Sequence, residues 1–166
     1  MLVSFDDMSP QSRVWVYQCN RQLNHDEQLR ITEMARPFMD QWAAHNQALK
    51  CSFSLFYDYF LIISVDESYN QASGCSIDSS VHLLKQIEHQ FQVDFFDRTK
   101  VAFLNNGKVF LESISNLKTR IIEGSVTDHT ITFNNLVKDK EDLAKKWKVP
   151  ASESWIKRYF PQVKQH

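Results

Sequence analysis

Glycine is scarce in this sequence. Only three of the 166 residues are glycine, whereas an average usage near 7% corresponds to about 12. This scarcity argues against collagen-like repeats, flexible glycine-rich linkers and phosphate-binding glycine loops. Gly74, Gly107 and Gly124 neither begin nor end a G-x-x-x-x-G-K-[ST] run. The sequence therefore contains no P-loop and predicts no ATPase activity.

Paired cysteines and long apolar segments are also lacking. The three cysteines (19, 51 and 75) are odd in number and form no C-x-x-C motif, a usage typical of reduced thiols inside a cell. The longest apolar run, 59–65, is far shorter than the ~20 residues of a membrane span. Residues 1–10 include Asp6 and Asp7 and no apolar segment, so they predict no secretory signal. We expect a cytoplasmic protein.

The two ends of the chain differ in charge, although the net charge is only −1. Residues 138–166 contain eight basic and four acidic residues, and the rest of the chain is acidic. A basic segment can meet an acidic partner, but its interruption by Asp139, Glu141 and Asp142 favours a solvated helix surface. The acidic first part and the lack of an RNA-binding aromatic motif do not favour nucleic acid as a partner.

The first part of the chain predicts six elements in the order β-α-β-β-α-β. Residues 12–18 alternate as a strand whose two apolar faces favour a central position in a sheet. A capping box at Asn24 and Glu27 begins a helix, which we expect Pro37 to kink or divide. Residues 51–58 and 59–65 predict a hairpin, Ser76 or Asp78 caps a second helix, and 101–104 forms a strand. This order is typical of ferredoxin-like domains.

The rest of the sequence predicts further helices and strands that are added to that core. Asn106-Gly107 favours a hairpin turn between 101–104 and 109–111, followed by a short helix at 115–123 and a last strand at 130–137. Helices are expected at 141–148 and 152–160. We predict one α+β domain, 1–166, with a core of about 12–104 and a C-terminal extension of about 105–166. In the alternative α+β sandwich, the later hairpin and strand extend the same sheet.

The strongest candidate site is the segment 66–80, which joins a buried strand to a helix. Backbone N–H groups at a helix start can hold an anion, and a cysteine there can become a nucleophile. The candidate nucleophile is Cys75, and the candidate ligand-binding residues are Asp66, Glu67, Ser73, Gly74, Ser76, Asp78, Ser79 and Ser80. The structural alternative is that the serines and Asp78 cap the helix and Cys75 packs as a small apolar residue.

Four stretches of the chain resemble a known family. They are 12–18 (SRVWVYQ), 65–81 (VDESYNQASGCSIDSSV), 133–137 (FNNLV) and 150–155 (PASESW). They resemble an uncharacterised bacterial family, seen in Bacteroidetes-type genomes, that often carries the label "ABC transporter ATPase". The resemblance covers nearly the whole chain. It implies no established activity, so no catalytic residue is carried over from it.

These observations favour a small cytoplasmic binding or interaction module with its site at 66–80. The partner would be a small anionic ligand or a protein. The first alternative is a thiol-dependent or anion-handling enzyme that uses Cys75. The second is a protein–protein adaptor that works through the basic C-terminal helices, with an exposed Trp155 beside Lys157 and Arg158. No metal and no cofactor is predicted.

Overall fold

The computed structural model describes residues 1–161, which form a mixed fold of helices and strands, as the predicted α+β class requires. The strands are β1 Arg13–Gln18, β2 Ala43–Ala44, β3 Gln47–Ala48, β4 Cys51–Phe56, β5 Phe60–Val65, β6 Lys100–Asn105, β7 Lys108–Ser113, β8 Ile131–Phe133 and β9 Lys148–Pro150. The α-helices are α1 His25–Gln41, α2 Gly74–Phe91, α3 Leu117–Glu123 and α4 Lys140–Lys146. Short 3-10 helices cover Phe5–Asp7, Ile114–Asn116, Ala151–Glu153 and Trp155–Tyr159.

The first sheet contains three strands in the order β1-β5-β4. β5 is antiparallel to both neighbours, so β1 and β4 run parallel to each other with β5 between them. α1 and the short β2–β3 hairpin connect β1 to β4. The prediction of a central β1 is wrong, because the fully apolar β5 takes the centre and leaves β1 at the edge.

The predicted fourth strand of the ferredoxin-like core, β6, does not join this sheet. It belongs to a second sheet in the order β7-β6-β8-β9. The Asn106-Gly107 turn, with positive φ at both residues, joins β6 to β7 as predicted. β8 then pairs with Phe103 and Leu104 on the other side of β6, so β6 has strands of its own sheet on both sides.

Several predicted boundaries differ from the structure. α1 continues through Pro37 as one helix. The strand predicted at 130–137 is limited to β8, and β9, which ends at Pro150, was not predicted. The helix predicted at 152–160 is replaced by two 3-10 helices. Propensity alone does not distinguish these short, partly buried turns from an α-helix.

Aromatic side chains join the two sheets into one core. Phe60 of β5 is fully buried, and its ring centroid lies 4.6 Å from that of Phe133 and 4.9 Å from that of Trp147. Phe133 lies on β8, and Trp147 directly precedes β9. The opposite face of the first sheet is covered by α1 and α2, which bury Ile31 and Leu84 among others. The two sheets therefore share an apolar layer.

An ion pair joins the start of α1 to the end of α2. Arg21 donates two hydrogen bonds to the Glu27 carboxylate, at 2.9 and 2.7 Å, and one to the carbonyl of Phe91 at 2.8 Å. Glu27 also completes the predicted capping box with Asn24. The hydrogen bonds from Arg21 are the main cause of a lowered pKa for Glu27, from its ordinary 4.5 to about 2.

This lowered pKa predicts a pH dependence of stability. Because Glu27 has a lower pKa in the folded chain, its stabilisation is complete above about pH 4.5 and is lost as the pH falls toward about 2. We expect Glu27→Gln to lower the free energy of unfolding at pH 7, and the difference from wild type to shrink between pH 4.5 and 2. Urea titrations across this range measure it. The neighbouring, exposed Asp26→Asn is the control, and a pH-independent effect of Glu27→Gln would contradict the prediction.

Candidate functional site

Asp66, the first residue of the predicted site, stabilises a turn. Its side chain is buried and accepts hydrogen bonds from the Ser68 N–H at 3.1 Å and from the Ser68 hydroxyl at 2.6 Å. Lys50 Nζ lies 3.8 Å away. These groups lower the pKa of Asp66, mainly through the Ser68 hydroxyl. The carboxylate is thus bound to the protein itself.

Glu67 contacts both the residues that precede α2 and the strand β1. One of its oxygens accepts a hydrogen bond from the Ala72 N–H at 3.1 Å, and the other lies 3.8 Å from the Arg13 guanidinium of β1. Both side chains of this ion pair remain partly exposed. Glu67 therefore connects the segment 66–80 to the edge of the first sheet.

The start of α2 lies earlier than predicted. Ser73, not Ser76 or Asp78, is the N-cap, because Ser73 and Ser76 form a reciprocal capping box. The Ser76 carbonyl also accepts a hydrogen bond from Trp42 Nε1 at 2.8 Å. Ser79 and Ser80 donate to backbone carbonyls within the helix. These serine hydroxyls therefore stabilise the helix and its first turn.

Cys75, Gly74 and Asp78 are exposed on the first turns of α2. Among the described residues, no hydrogen bond joins Cys75 to a histidine, and His82, seven residues further along α2, is exposed. Cys19 and Cys51 are buried. Within residues 1–161, no three His, Cys, Asp or Glu side chains are grouped closely enough to hold a metal ion.

A groove that the sequence did not predict lies beside β1. Segment 138–140 runs antiparallel to the start of this strand, with Val14 N–H donating to the Lys138 carbonyl and Lys140 N–H donating to the Ser12 carbonyl, each at 2.9 Å. Further along, the two segments separate, and a side-chain hydrogen bond of 3.1 Å between Asn135 and Gln18 spans the gap. An open groove of about 620 Å³ lies between them.

The walls of the groove combine apolar and charged groups. β1 contributes the half-buried Trp15 and Tyr17, and the facing segment contributes Leu136, which is 86% exposed, and Val137. Charged side chains line the groove from the start of β1, its facing segment and the segment 66–80: Arg13, Lys138, Asp139 and Glu67. Arg13 also stacks over the Trp15 ring at 4.6 Å. Glu67 is the only predicted site residue that lines this groove.

This groove forms between two segments that are far apart in the sequence. β1 and segment 135–139 are separated by more than 110 residues, so no spacing in the sequence links them. A prediction that β1 is an edge strand would have indicated such a groove. The apolar residues on both faces of β1 instead predicted a central strand.

The C-terminal tryptophans have different environments. Trp147 is buried against Phe60 and Phe133, while Trp155 is half-exposed beside Arg158 and Tyr159. Ile156, next to Trp155, is fully buried. The patch predicted around Trp155 is thus attached to the core, and residues 162–166 of the basic segment lie outside the described residues.

No helix within the described part of the chain has the length and apolar character that crossing a membrane requires. No family model, curated protein or solved structure matches this chain.

Proposed function

We propose that this chain is a binding module that adds an extended peptide of a partner protein to β1, at the part of its edge around Val16 that segment 138–140 leaves uncovered. The observation that carries the proposal is the partial cover of this edge strand by segment 138–140. Addition of a strand to an exposed sheet edge is a recurring mode of peptide recognition, in which main-chain hydrogen bonds supply affinity and side-chain pockets supply specificity.

The backbone of Val16 supports this proposal. In an antiparallel ladder, successive residues alternate between facing one neighbour and facing the other. Val14 donates its N–H away from β5, to Lys138, so the N–H and C=O of Val16 also point away from β5, and Val16 lines the groove. An extended peptide can pair with these groups and continue the ladder that segment 138–140 begins.

The side chains of the groove indicate the kind of peptide. Trp15 and Tyr17 project to the same face of β1, since they are two residues apart. A peptide strand beside them would place alternate residues against this aromatic face, so we expect apolar or aromatic residues at every second position. The mixed charges of Arg13, Lys138 and Glu67 favour polar residues at the end of the peptide near the start of β1.

A displayed library of seven-residue peptides, selected against the wild-type chain, tests the proposal. The best peptide is resynthesised with N-methyl groups on alternate residues. Methyl groups on the residues whose N–H groups face Val16 should abolish binding, and methyl groups on the intervening residues should leave it intact. If both sets of methylated peptides bind equally well, or if the selection yields no peptide, strand addition is refuted.

A pair of matched variants locates the peptide on the protein. Leu136 and Ile122 are both 86% exposed, but only Leu136 lines the groove. Leu136→Ala should weaken binding of the selected peptide on the order of tenfold, as loss of an apolar contact in an interface does. Ile122→Ala, on α3, should leave binding unchanged. Equal effects of the two variants would place the peptide elsewhere.

The exposure of Cys75 favours a second candidate function, a thiol-dependent reaction at the start of α2. This position can supply backbone N–H groups that stabilise negative charge. Such a reaction needs a nucleophile, a base and a substrate pocket, and the described residues supply only the thiol at this site. We therefore rank it behind peptide binding, and the labelling experiment in the Discussion tests it.

A further inference from the structure

A second cleft lies between the β4–β5 turn and α4. It has a volume of about 420 Å³ and shares no lining residue with the groove beside β1. Its walls are mainly apolar and include Phe56, Leu143 and Trp147. The ring centroids of Phe56 and Trp147 are 5.9 Å apart in an edge-to-face arrangement. This volume is in the range of small-molecule pockets, which are usually apolar with a few polar groups.

The polar groups at this cleft are two lysines and one tyrosine. Lys140 Nζ donates to the carbonyls of Phe5, Asp6 and Met8 at 2.8–3.2 Å, so its three donors are used by the protein. Within residues 1–161, the one hydrogen bond of Lys148 Nζ is to the Tyr57 hydroxyl, to which it donates at 3.0 Å. Lys148 therefore keeps N–H groups with which to bind a ligand.

The charges around the cleft favour an anion. None of the residues that line it is acidic. The nearby acids of α4 are paired with other lysines of that helix, Glu141 with Lys145 at 2.7 Å and Asp142 with Lys146 at 3.5 Å. The ammonium group of Lys148 therefore has no carboxylate partner among residues 1–161.

The geometry points to a binding site for a small aromatic carboxylate in this cleft. The ring of the ligand packs against Phe56 and Trp147, and its carboxylate accepts hydrogen bonds from Lys148 Nζ and the Tyr57 hydroxyl. Aromatic rings favour such edge and offset contacts, and a charge-assisted hydrogen bond orients the carboxylate. This inference is independent of peptide binding at β1, since the two sites have no residue in common.

The probe is 1-naphthoate, titrated into the full chain labelled with ¹⁵N. We expect shifts of the backbone amides of Tyr57 and Lys148 and of the indole N–H of Trp147. The neutral analogue 1-naphthalenemethanol should bind about fivefold more weakly, because it lacks the charge that Lys148 recognises at this exposed rim. Absence of shifts at the cleft up to the solubility of the probe, or equal affinities of acid and alcohol, would overturn the inference.

Two lysine variants complete the test. Lys148→Met removes the ammonium group, keeps the apolar stem, and should abolish the preference for acid over alcohol. Lys146→Met, on α4 and outside the cleft, should leave that preference unchanged. Tyr57→Phe keeps the ring and should reduce the affinity for the acid only. If Lys148→Met retains the wild-type preference, Lys148 does not bind the carboxylate and the proposed site is refuted.

Discussion

Phe60→Ala is expected to lower the free energy of unfolding by about 3–5 kcal/mol. Phe60 is fully buried on the central strand of the first sheet, and its ring contacts Phe133 and Trp147 of the other half of the core. Its truncation removes a large apolar surface and leaves a cavity, which these aromatic neighbours can fill only in part. Since small domains are stable by about 5–15 kcal/mol, the loss should be a large share of the total.

Urea unfolding followed by tryptophan fluorescence and by far-UV circular dichroism measures this effect. Because Phe60 connects the two sheets, we expect a single transition with a lower midpoint by both probes. Phe96→Ala is the control, since Phe96 is 36% exposed and contacts the half-buried Tyr17. If Phe60→Ala lowers the free energy of unfolding by less than about 1 kcal/mol, the result would contradict the burial of Phe60 between the two sheets. Separate transitions by the two probes would show that the sheets unfold independently.

The second large effect is a difference in reactivity among the three cysteines. Cys75 is exposed, whereas Cys19 and Cys51 are buried. Burial raises the pKa of both buried thiols, that of Cys51 to about 11. The Cys51 thiol also donates a hydrogen bond to the Met39 carbonyl at 3.3 Å. Because the thiolate is the reactive form, we expect iodoacetamide to modify one thiol quickly in the native protein.

Mass spectrometry of the labelled chain tests this expectation. Cys75 should be modified faster than Cys19 at pH 8, and at least about a hundredfold faster than Cys51, since a thiol of pKa about 11 is less than about 1% ionised there. In urea all three should react. Cys75→Ala should remove the fast phase, and rapid modification of Cys19 or Cys51 in the native chain would contradict their burial.

The same experiment separates the two candidate functions. In a Cys19→Ala/Cys51→Ala background, with the fold checked, the rate of Cys75 modification is measured against pH. If the rate rises with a midpoint pH well below ~8.5, the pKa of a free thiol, the result would support thiol chemistry at the start of α2. An ordinary midpoint would remove that support and leave the groove beside β1 as the proposed site.

Several parts of the fold could be predicted from local sequence. The capping box at Asn24 and Glu27, the apolar spacing that buries Ile31 and Ala35, and the Asn106-Gly107 turn are confirmed. Each depends on residues only a few positions apart, where hydrogen bonding and periodicity follow directly from residue type. The structure adds the short strands β2 and β3 between α1 and β4, and they interrupt the predicted order of the first six elements.

The arrangement of those elements was less predictable. β1, β5 and β4 form one sheet, β2 and β3 pair only with each other, and β6 pairs with β7 and β8. An apolar strand such as β6 can pair with any compatible edge, so its partner depends on competition between edges far apart in the chain. The same competition decided that β5, and not β1, is the central strand.

The sequence by itself determined the α+β class and most helices and strands, but not the N-cap of α2, which is Ser73 and not Ser76 or Asp78. Only the tertiary structure decided where ligands can bind. The groove brings β1 beside segment 135–139, and the second cleft brings Tyr57 beside Lys148, pairs separated by about 90 residues or more. Local residue type governs caps, turns and periodicity, whereas a cavity depends on which distant surfaces the packing of the core leaves apart.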